Sequence, residues 1–145
     1  MKNLFLTLII SFTVHAYSDV YTVKLLNQGA EGIMVFEPSF LNIAVGDTVN
    51  FEATDAAHNS ASIQGMVPDG ATAWSGALSK DISITFDTPG IYGYECTPHS
   101  MMAMVGIIRV GGSNINLNEI KNVAAIKKSS FVMNKDRLDN YISKI

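Results

Sequence analysis

One stretch of the sequence carries three side chains that can bind a metal. Cys96 is followed by His99 three residues later and by Met104 five residues after that. Thiolate and thioether sulfurs are soft ligands that suit reduced copper, and imidazole suits both common oxidation states of copper. His58, in an earlier loop, offers a second imidazole. One Cys and two His with a long axial Met is the ligand set of a one-electron copper site, so the sequence predicts one copper ion per chain.

Two neighbours of these residues are candidates for shaping the site. Pro98 stiffens the loop between Cys96 and His99, because proline fixes its own φ and restricts the residue before it. Asn59 directly follows His58 and is a candidate to tie the two ligand loops together. With every position around the metal filled by protein, no place is left for substrate, which disfavours catalysis at the metal.

Each of these residues has a plainer interpretation when taken alone. A lone Cys is often a small buried hydrophobe, and methionines fill cores. A thiol enzyme would use Cys96 as nucleophile and His99 as base. No acidic residue that would orient the histidine and no oxyanion donor pair is evident, so we expect no enzyme. A copper-binding or trafficking protein stays open as the alternative to an electron carrier. A donor site must open to release its metal, which a site closed by four ligands opposes.

The elements around these residues are mainly β. Alternating apolar and polar residues and their turn signals predict strands at 21–25, 41–45, 48–53, 82–86, 91–95 and 105–110. Residues 55–80 have weak periodicity and are predicted to form long loops. Six or seven short strands separated by turns predict an antiparallel Greek-key β-sandwich. The segment from Cys96 to Met104 lies between two of these strands and is therefore held at both ends.

The last part of the chain, residues 113–145, changes to a helical period. Asn116 and Glu119 have the spacing of a capping box, with Asn116 as the N-cap. Apolar residues then recur at helical spacing up to residue 124 and again from 138 to 145. This pattern predicts two C-terminal α-helices packed on the sandwich.

The first sixteen residues have the pattern of a secretory signal peptide. Lys2 is followed by an apolar run too short to span a membrane, and then by small residues that a signal peptidase reads at Val14 and Ala16. We expect cleavage after Ala16, export to a periplasm, and no membrane anchor afterwards. Residues 17–145 are then a single domain.

Composition narrows the function further. The chain has 145 residues and a net charge of −3, which argues against a nucleic-acid partner. Its single cysteine excludes an internal disulfide. Three basic residues face ten acidic ones over residues 17–112, whereas the helical segment 113–145 has six basic and three acidic residues. The sandwich is therefore acidic and the tail basic.

The ligand motif resembles that of the cupredoxins, the small blue copper proteins. Within them, the chain resembles the pseudoazurins over residues 20 to about 143. The resemblance lies in the two-helix extension and in four segments: Gly29–Gly32, Met34–Pro38, Gly46–Val49 and Cys96–His99. This resemblance implies that His58, Cys96, His99 and Met104 are the ligands of a type 1 copper site. It also implies a monomeric periplasmic electron carrier that forms transient complexes with nitrite reductase, cytochromes or other oxidoreductases.

The resemblance is incomplete on the surface that would meet a partner. Pseudoazurins usually surround the exposed histidine ligand with lysines, whereas the matching positions here are Gln28, Ala56 and Glu95. We therefore expect a less acidic or a basic partner. An apolar patch of Met34, Pro98 and Met102 is the candidate docking surface.

Overall fold

The computed structural model describes residues 17–145, so the predicted signal peptide at residues 1–16 lies outside the described residues. These described residues form eight strands: β1 (Val20–Gly29), β2 (Gly32–Glu37), β3 (Phe40–Ile43), β4 (Thr48–Glu52), β5 (Ala61–Ser62), β6 (Ile82–Thr85), β7 (Gly90–Glu95) and β8 (Val105–Val110). They form two four-stranded sheets, ordered β2–β1–β4–β6 and β3–β8–β7–β5. The mainly β class predicted from sequence is confirmed.

The prediction that all strands pair antiparallel was wrong. Each sheet contains one parallel pair: β1 with β4, where Val20 lies opposite Thr48, and β3 with β8, where Phe40 lies opposite Ile107. Alternation of apolar residues shows which side chains share a face of a strand, but it carries no information on strand direction. Strand β2 was not predicted, because residues 33–36 are all apolar and so show no alternation of apolar and polar residues.

The core between the two sheets is aromatic. Six rings pack against one another at centroid distances of 4.8 to 6.5 Å; they belong to Phe36, Phe51, Trp74, Phe86, Tyr92 and Tyr94. Because side chains alternate along a strand, Cys96 follows Tyr92 and Tyr94 onto the same inward face. Cys96 is fully buried and thus caps one end of this rigid core.

The outer face of the second sheet is covered by two helices, α1 (Leu117–Lys128) and α2 (Arg137–Ile142). Ile91 and Ile107 of the sheet share a buried cluster with Ile120 of α1 and Leu138 of α2. Strands β7 and β8 are therefore buried on both faces, which fixes the two strands that flank residues 96–104. Within residues 17–145, neither helix is long and apolar enough to cross a membrane.

Asn116 stands at the N-cap position of α1 but does not form the capping box that the spacing suggested. Its side chain makes no bond to the helix. Instead, its Oδ1 accepts a hydrogen bond from the backbone N–H of Ile91 at 2.8 Å, and its Nδ2 donates to the Ile91 carbonyl at 2.8 Å. A buried amide can satisfy distant backbone as well as local backbone, and sequence spacing does not distinguish these cases. The result pins the start of α1 to β7.

Candidate metal centre

The segment between β7 and β8 is a compact turn rather than an open loop. It contains a 3-10 helix, Thr97–Met102, that begins after Cys96. The backbone N–H of Cys96 donates to the Met104 carbonyl at 2.9 Å, and the N–H of His99 donates to the Cys96 carbonyl at 3.1 Å. The N–H of Met104 in turn donates to the His99 carbonyl at 3.3 Å. These bonds link the backbones of Cys96, His99 and Met104 to one another.

The structure brings three of the predicted site residues together at this turn. The Sγ of Cys96 lies 3.5 Å from the Nδ1 of His58 and 3.4 Å from the Nδ1 of His99. The three donor atoms all lie within 4.8 Å of one another. Among residues 17–145, this is the one group of three or more His, Cys, Asp or Glu side chains that could hold a metal ion.

Met104 belongs to the same buried environment. It is fully buried and shares a core cluster with Cys96. Its backbone is hydrogen-bonded to both Cys96 and His99, as described above. A thioether is therefore available beside the thiol and the two imidazoles.

The orientation of the His58 ring is set by a residue that sequence reasoning missed. The Nε2–H of His58 donates to the Oδ1 of Asn27 at 3.0 Å, so Nδ1 is the unprotonated nitrogen that faces Cys96. Burial, and next the charge of nearby His99, lower the pKa of His58, which keeps the ring neutral and able to ligate. Asn27 lies 31 residues away in the chain, and no motif marked it.

The thiol of Cys96 needs a positive charge to become a thiolate. Burial raises the pKa of Cys96, and hydrogen bonds from the backbone of Asn59 and His99 offset this only in part. A bound metal cation favours the deprotonated sulfur. Because soft sulfur, two imidazoles and a nearby thioether are the available donors, and no carboxylate joins the cluster in the described part of the chain, the site fits copper.

Asn59 connects the two loops that supply the donors. Its Oδ1 accepts a hydrogen bond from the N–H of Thr97 at 2.8 Å. Its Nδ2 donates to the carbonyl of Gly76 at 3.0 Å and to the Oγ1 of Thr97 at 3.2 Å. Pro98 is exposed and lies in the first turn of the 3-10 helix, where its fixed φ suits the backbone.

Backbone strain is concentrated next to the donors. Ala57 precedes His58 with φ 67°, and Ala103 precedes Met104 with φ 58°. Ser79, with φ 57°, accepts a hydrogen bond from the N–H of Ala57 on its Oγ and donates its own N–H to the carbonyl of His58, both at 2.8 Å. Non-glycine residues adopt this conformation only where the surroundings enforce it, and such strain clusters at functional sites.

Only one of the donor side chains approaches the surface. His58 and Cys96 are fully buried, whereas His99 is partly exposed. Of the predicted docking residues, Pro98 is exposed and Met34 and Met102 are half-buried. Met101, which sequence reasoning did not include in the patch, is 58% exposed and is the most open methionine of this turn.

Comparison with known proteins decides the family. A model of copper binding proteins of the plastocyanin/azurin family matches residues 23–111, which include His58, Cys96, His99 and Met104. The chain is 37% identical to a pseudoazurin of Methylorubrum extorquens (strain AM1) over 140 residues, which are 97% of this chain and 91% of that protein. The chain belongs to the pseudoazurins. A pseudoazurin of Paracoccus pantotrophus is 32% identical over 94% of this chain and 91% of its own length.

Solved pseudoazurin structures agree with this assignment. The crystal structure of native pseudoazurin from Hyphomicrobium denitrificans superimposes with a TM-score of 0.77 at 34% identity, covering 87% of this chain and 98% of that one. The predictions of a cupredoxin fold and a copper cofactor are therefore confirmed. Pseudoazurins are electron carriers and not enzymes, in agreement with the sequence interpretation.

Proposed function

We propose that this chain is a periplasmic one-electron carrier in which His58, Cys96, His99 and Met104 hold one type 1 copper ion. The observation that carries the proposal is the convergence of one thiol and two imidazoles within 4.8 Å beside a buried methionine. Copper, when bound, supplies a one-electron couple between Cu(I) and Cu(II).

The protein's own contribution is to keep the donors in one arrangement. Electron transfer is fast when little has to move, and every donor here lies on backbone that is hydrogen-bonded to another part of the site. Asn27 fixes the His58 ring, and Asn59 joins the two loops. His58 and Cys96 are buried, so water has no direct approach to them. The partly exposed edge of His99 is the exit for the electron.

We further propose that partners dock around His99 in transient complexes, with the chain acting as a monomer. The apolar surface of Met34, Pro98 and Met102, extended by Met101, suits a weak redox encounter. We propose that these partners are nitrite reductase, cytochromes or other periplasmic oxidoreductases.

The charges near this patch favour a partner that is not strongly acidic. Glu95, which occupies a position where lysine is usual in pseudoazurins, forms an ion pair with Lys127 of α1 at 2.5 Å. The pair is neutral overall, so this position supplies no net positive charge to attract an acidic partner. Stopped-flow electron transfer over a range of ionic strength tests this: a rate with an acidic partner that falls steeply as salt rises contradicts the proposal.

A copper-trafficking role is the second candidate, and it differs in one measurable property. A carrier keeps its copper in both oxidation states, whereas a donor releases Cu(I). Repeated voltammetric cycling of the copper-loaded protein with a soluble Cu(I) chelator distinguishes the two. We expect a reversible one-electron wave with copper retained. Progressive loss of copper to the chelator on reduction would support trafficking instead.

The export route rests on residues 1–16 and needs its own test. We propose that this segment is a signal peptide and that the single domain begins at Tyr17. Expression of the full chain in a bacterium, followed by mass measurement of the periplasmic fraction, should give a product that starts at Tyr17. The matched variant Ile9→Asp, which interrupts the apolar run, should leave the chain uncleaved in the cytoplasm. Equal export of both chains would contradict the proposal.

A further inference from the structure

Arg137 at the start of α2 is a buried cation whose hydrogen bonds all go to backbone carbonyls. The residue as a whole is only 8% exposed to solvent. Nη1 donates to the carbonyls of Met34 at 2.8 Å and Ala103 at 3.0 Å. Nη2 donates to those of Glu31 at 3.3 Å and Ile33 at 3.2 Å. Among residues 17–145, no carboxylate lies within ion-pair distance of this guanidinium.

Burying a cation here carries a desolvation cost, which an apolar side chain at the same position would not have. Desolvation of a charge is offset only when its hydrogen-bonding groups are well satisfied. Here the guanidinium engages two residues in strained conformations, since Met34 has φ 51° and Ala103 has φ 58°. Strained residues persist where the surroundings over-determine them. Arg137 thus links two strained segments, one in β2 and one in the turn that precedes Met104.

Two other residues of the same segment act on the same turn. The backbone N–H of Val132 donates to the Met101 carbonyl at 2.8 Å, and the Nδ2 of Asn134 donates to the Met102 carbonyl at 3.3 Å. With Arg137 on Ala103, three consecutive carbonyls immediately before Met104 are bound from residues 132–137. We call Val132, Asn134 and Arg137 the C-terminal clamp.

We propose that Arg137 is a positioning residue that, through the Ala103–Met104 peptide, sets where the Met104 thioether stands relative to Cys96 and the two histidines. This inference rests on the proposed function, in which Met104 is one of the four copper ligands. The axial ligand of a type 1 site is weak and long, and it tunes the reduction potential. The two-helix extension is then part of the metal centre's tuning and not only a cover for the sheet.

The test compares Arg137→Gln and Arg137→Lys with a matched arginine elsewhere. Arg109, near the other end of β8, also donates from its guanidinium to a backbone carbonyl, that of Gly112. Copper-loaded proteins are compared by the ratio of their charge-transfer bands, by EPR and by reduction potential. For Arg137→Gln we expect a changed band ratio, a shifted potential and copper affinity about tenfold weaker, the lower end of the range for groups that orient metal ligands. Arg137→Lys should fall between, and Arg109→Gln should match the wild type.

A milder variant covers the case in which Arg137→Gln does not fold. Asn134→Gly removes only the bond to Met102 and keeps the positive φ of 51° that glycine tolerates. It should shift the band ratio in the same direction by a smaller amount. Amide hydrogen exchange at Ala103 and Met104 in the metal-free protein provides a readout without copper. Both Arg137→Gln and Asn134→Gly should accelerate this exchange.

Two outcomes separate failure of this inference from failure of the proposed function. Variants with a lower unfolding temperature but wild-type band ratio, EPR and potential would show a merely structural role and overturn the inference. A wild-type protein that binds copper without a charge-transfer band would overturn the proposed function, and the exchange of Ala103 and Met104 would still decide whether the clamp holds this peptide in place.

Discussion

The two ends of the sandwich meet the same backbone requirement with different residues. At the end formed by residues 44–48, 86–90 and 110–112, which we call the distal end, positive φ angles of 62° to 141° fall on glycines: Gly46, Gly90, Gly111 and Gly112. At the metal end, Gly32 has a φ of 109°, but angles of 51° to 67° also fall on residues that carry side chains: Met34, Ala57, Ser79 and Ala103. Glycine adopts this conformation freely, whereas the others are strained in it.

This difference shows where the molecule depends on long-range contacts. At the distal end, glycines adopt the positive φ angles without strain, so no contact is needed to offset a strain energy there. Ala57 at the metal end is held by Ser79, and Ala103 is held by Arg137, which lies 34 residues further along the chain. The metal end is thus fixed by the rest of the fold, and the donors stand ready before any metal arrives. Such pre-organisation is what a carrier that changes shape little during electron transfer requires.

The largest expected effect comes from removing the polar side chains that tie loops at each end. Asn59 joins two loops at the metal end, and Asp47 at the distal end accepts hydrogen bonds from the N–H groups of Asp19 and Ala44, each at 2.8 Å. Asn59→Ala and Asp47→Ala should each cost about 1–3 kcal/mol of unfolding free energy, because buried groups lose their partners. Urea denaturation measures this.

Copper spectroscopy distinguishes the two variants. Only Asn59→Ala should alter the charge-transfer bands, since Asp47 lies away from the donors. A changed spectrum in Asp47→Ala, or an unchanged one in Asn59→Ala, would contradict the division between the two ends.

A smaller effect tests backbone strain directly. Ala57 and Gly112 are both exposed and have φ of 67° and 62°. A Cβ added at Gly112 would meet nothing within 4 Å, so its substitution reports strain alone. Gly112→Ala should destabilise the protein and Ala57→Gly should stabilise it, each by about 1 kcal/mol. Chemical denaturation of both variants gives the two signs. If both changes destabilise, strain at Ala57 is not what distinguishes the metal end.

The smallest effect concerns pH. Burial acts to raise the pKa of Glu31, but hydrogen bonds from Tyr141 at 2.6 Å and Ser39 at 2.7 Å, with the charges of Lys144 and Arg137, outweigh it and lower that pKa. The resulting stabilisation is present above the unfolded pKa of about 4.3 and is lost as pH falls through the folded value.

Glu31→Gln removes this titration. Its stability should therefore fall less than that of the wild type when urea unfolding is repeated from about pH 6 down to about pH 3, on either side of the ordinary glutamate pKa. Parallel stability curves for the two proteins would show that Glu31 does not contribute.

The sequence was sufficient to predict the candidate metal-binding residues, whose chemistry is rare, and the strands in which apolar and polar residues alternate clearly. Cys96 and His99 were placed by the ends of β7 and β8, and His58 followed because it is the remaining histidine after residue 16. The sequence did not predict the direction of the strands or the hydrogen-bond partner of Asn116. It also did not predict the contacts of Asn27 and Arg137. Each depends on contacts between residues far apart in the chain, and residue type and spacing do not encode which distant backbone a polar side chain will meet.

The central claim is that His58, Cys96, His99 and Met104 hold one copper ion as a type 1 site. Visible absorption and EPR spectra of residues 17–145 during titration with Cu(II), beside the variant Cys96→Ser, test it most directly. We expect an intense sulfur-to-copper charge-transfer band that saturates at one copper ion per chain and disappears in Cys96→Ser. Copper binding without that band in the wild type, or the same band in Cys96→Ser, would contradict the claim.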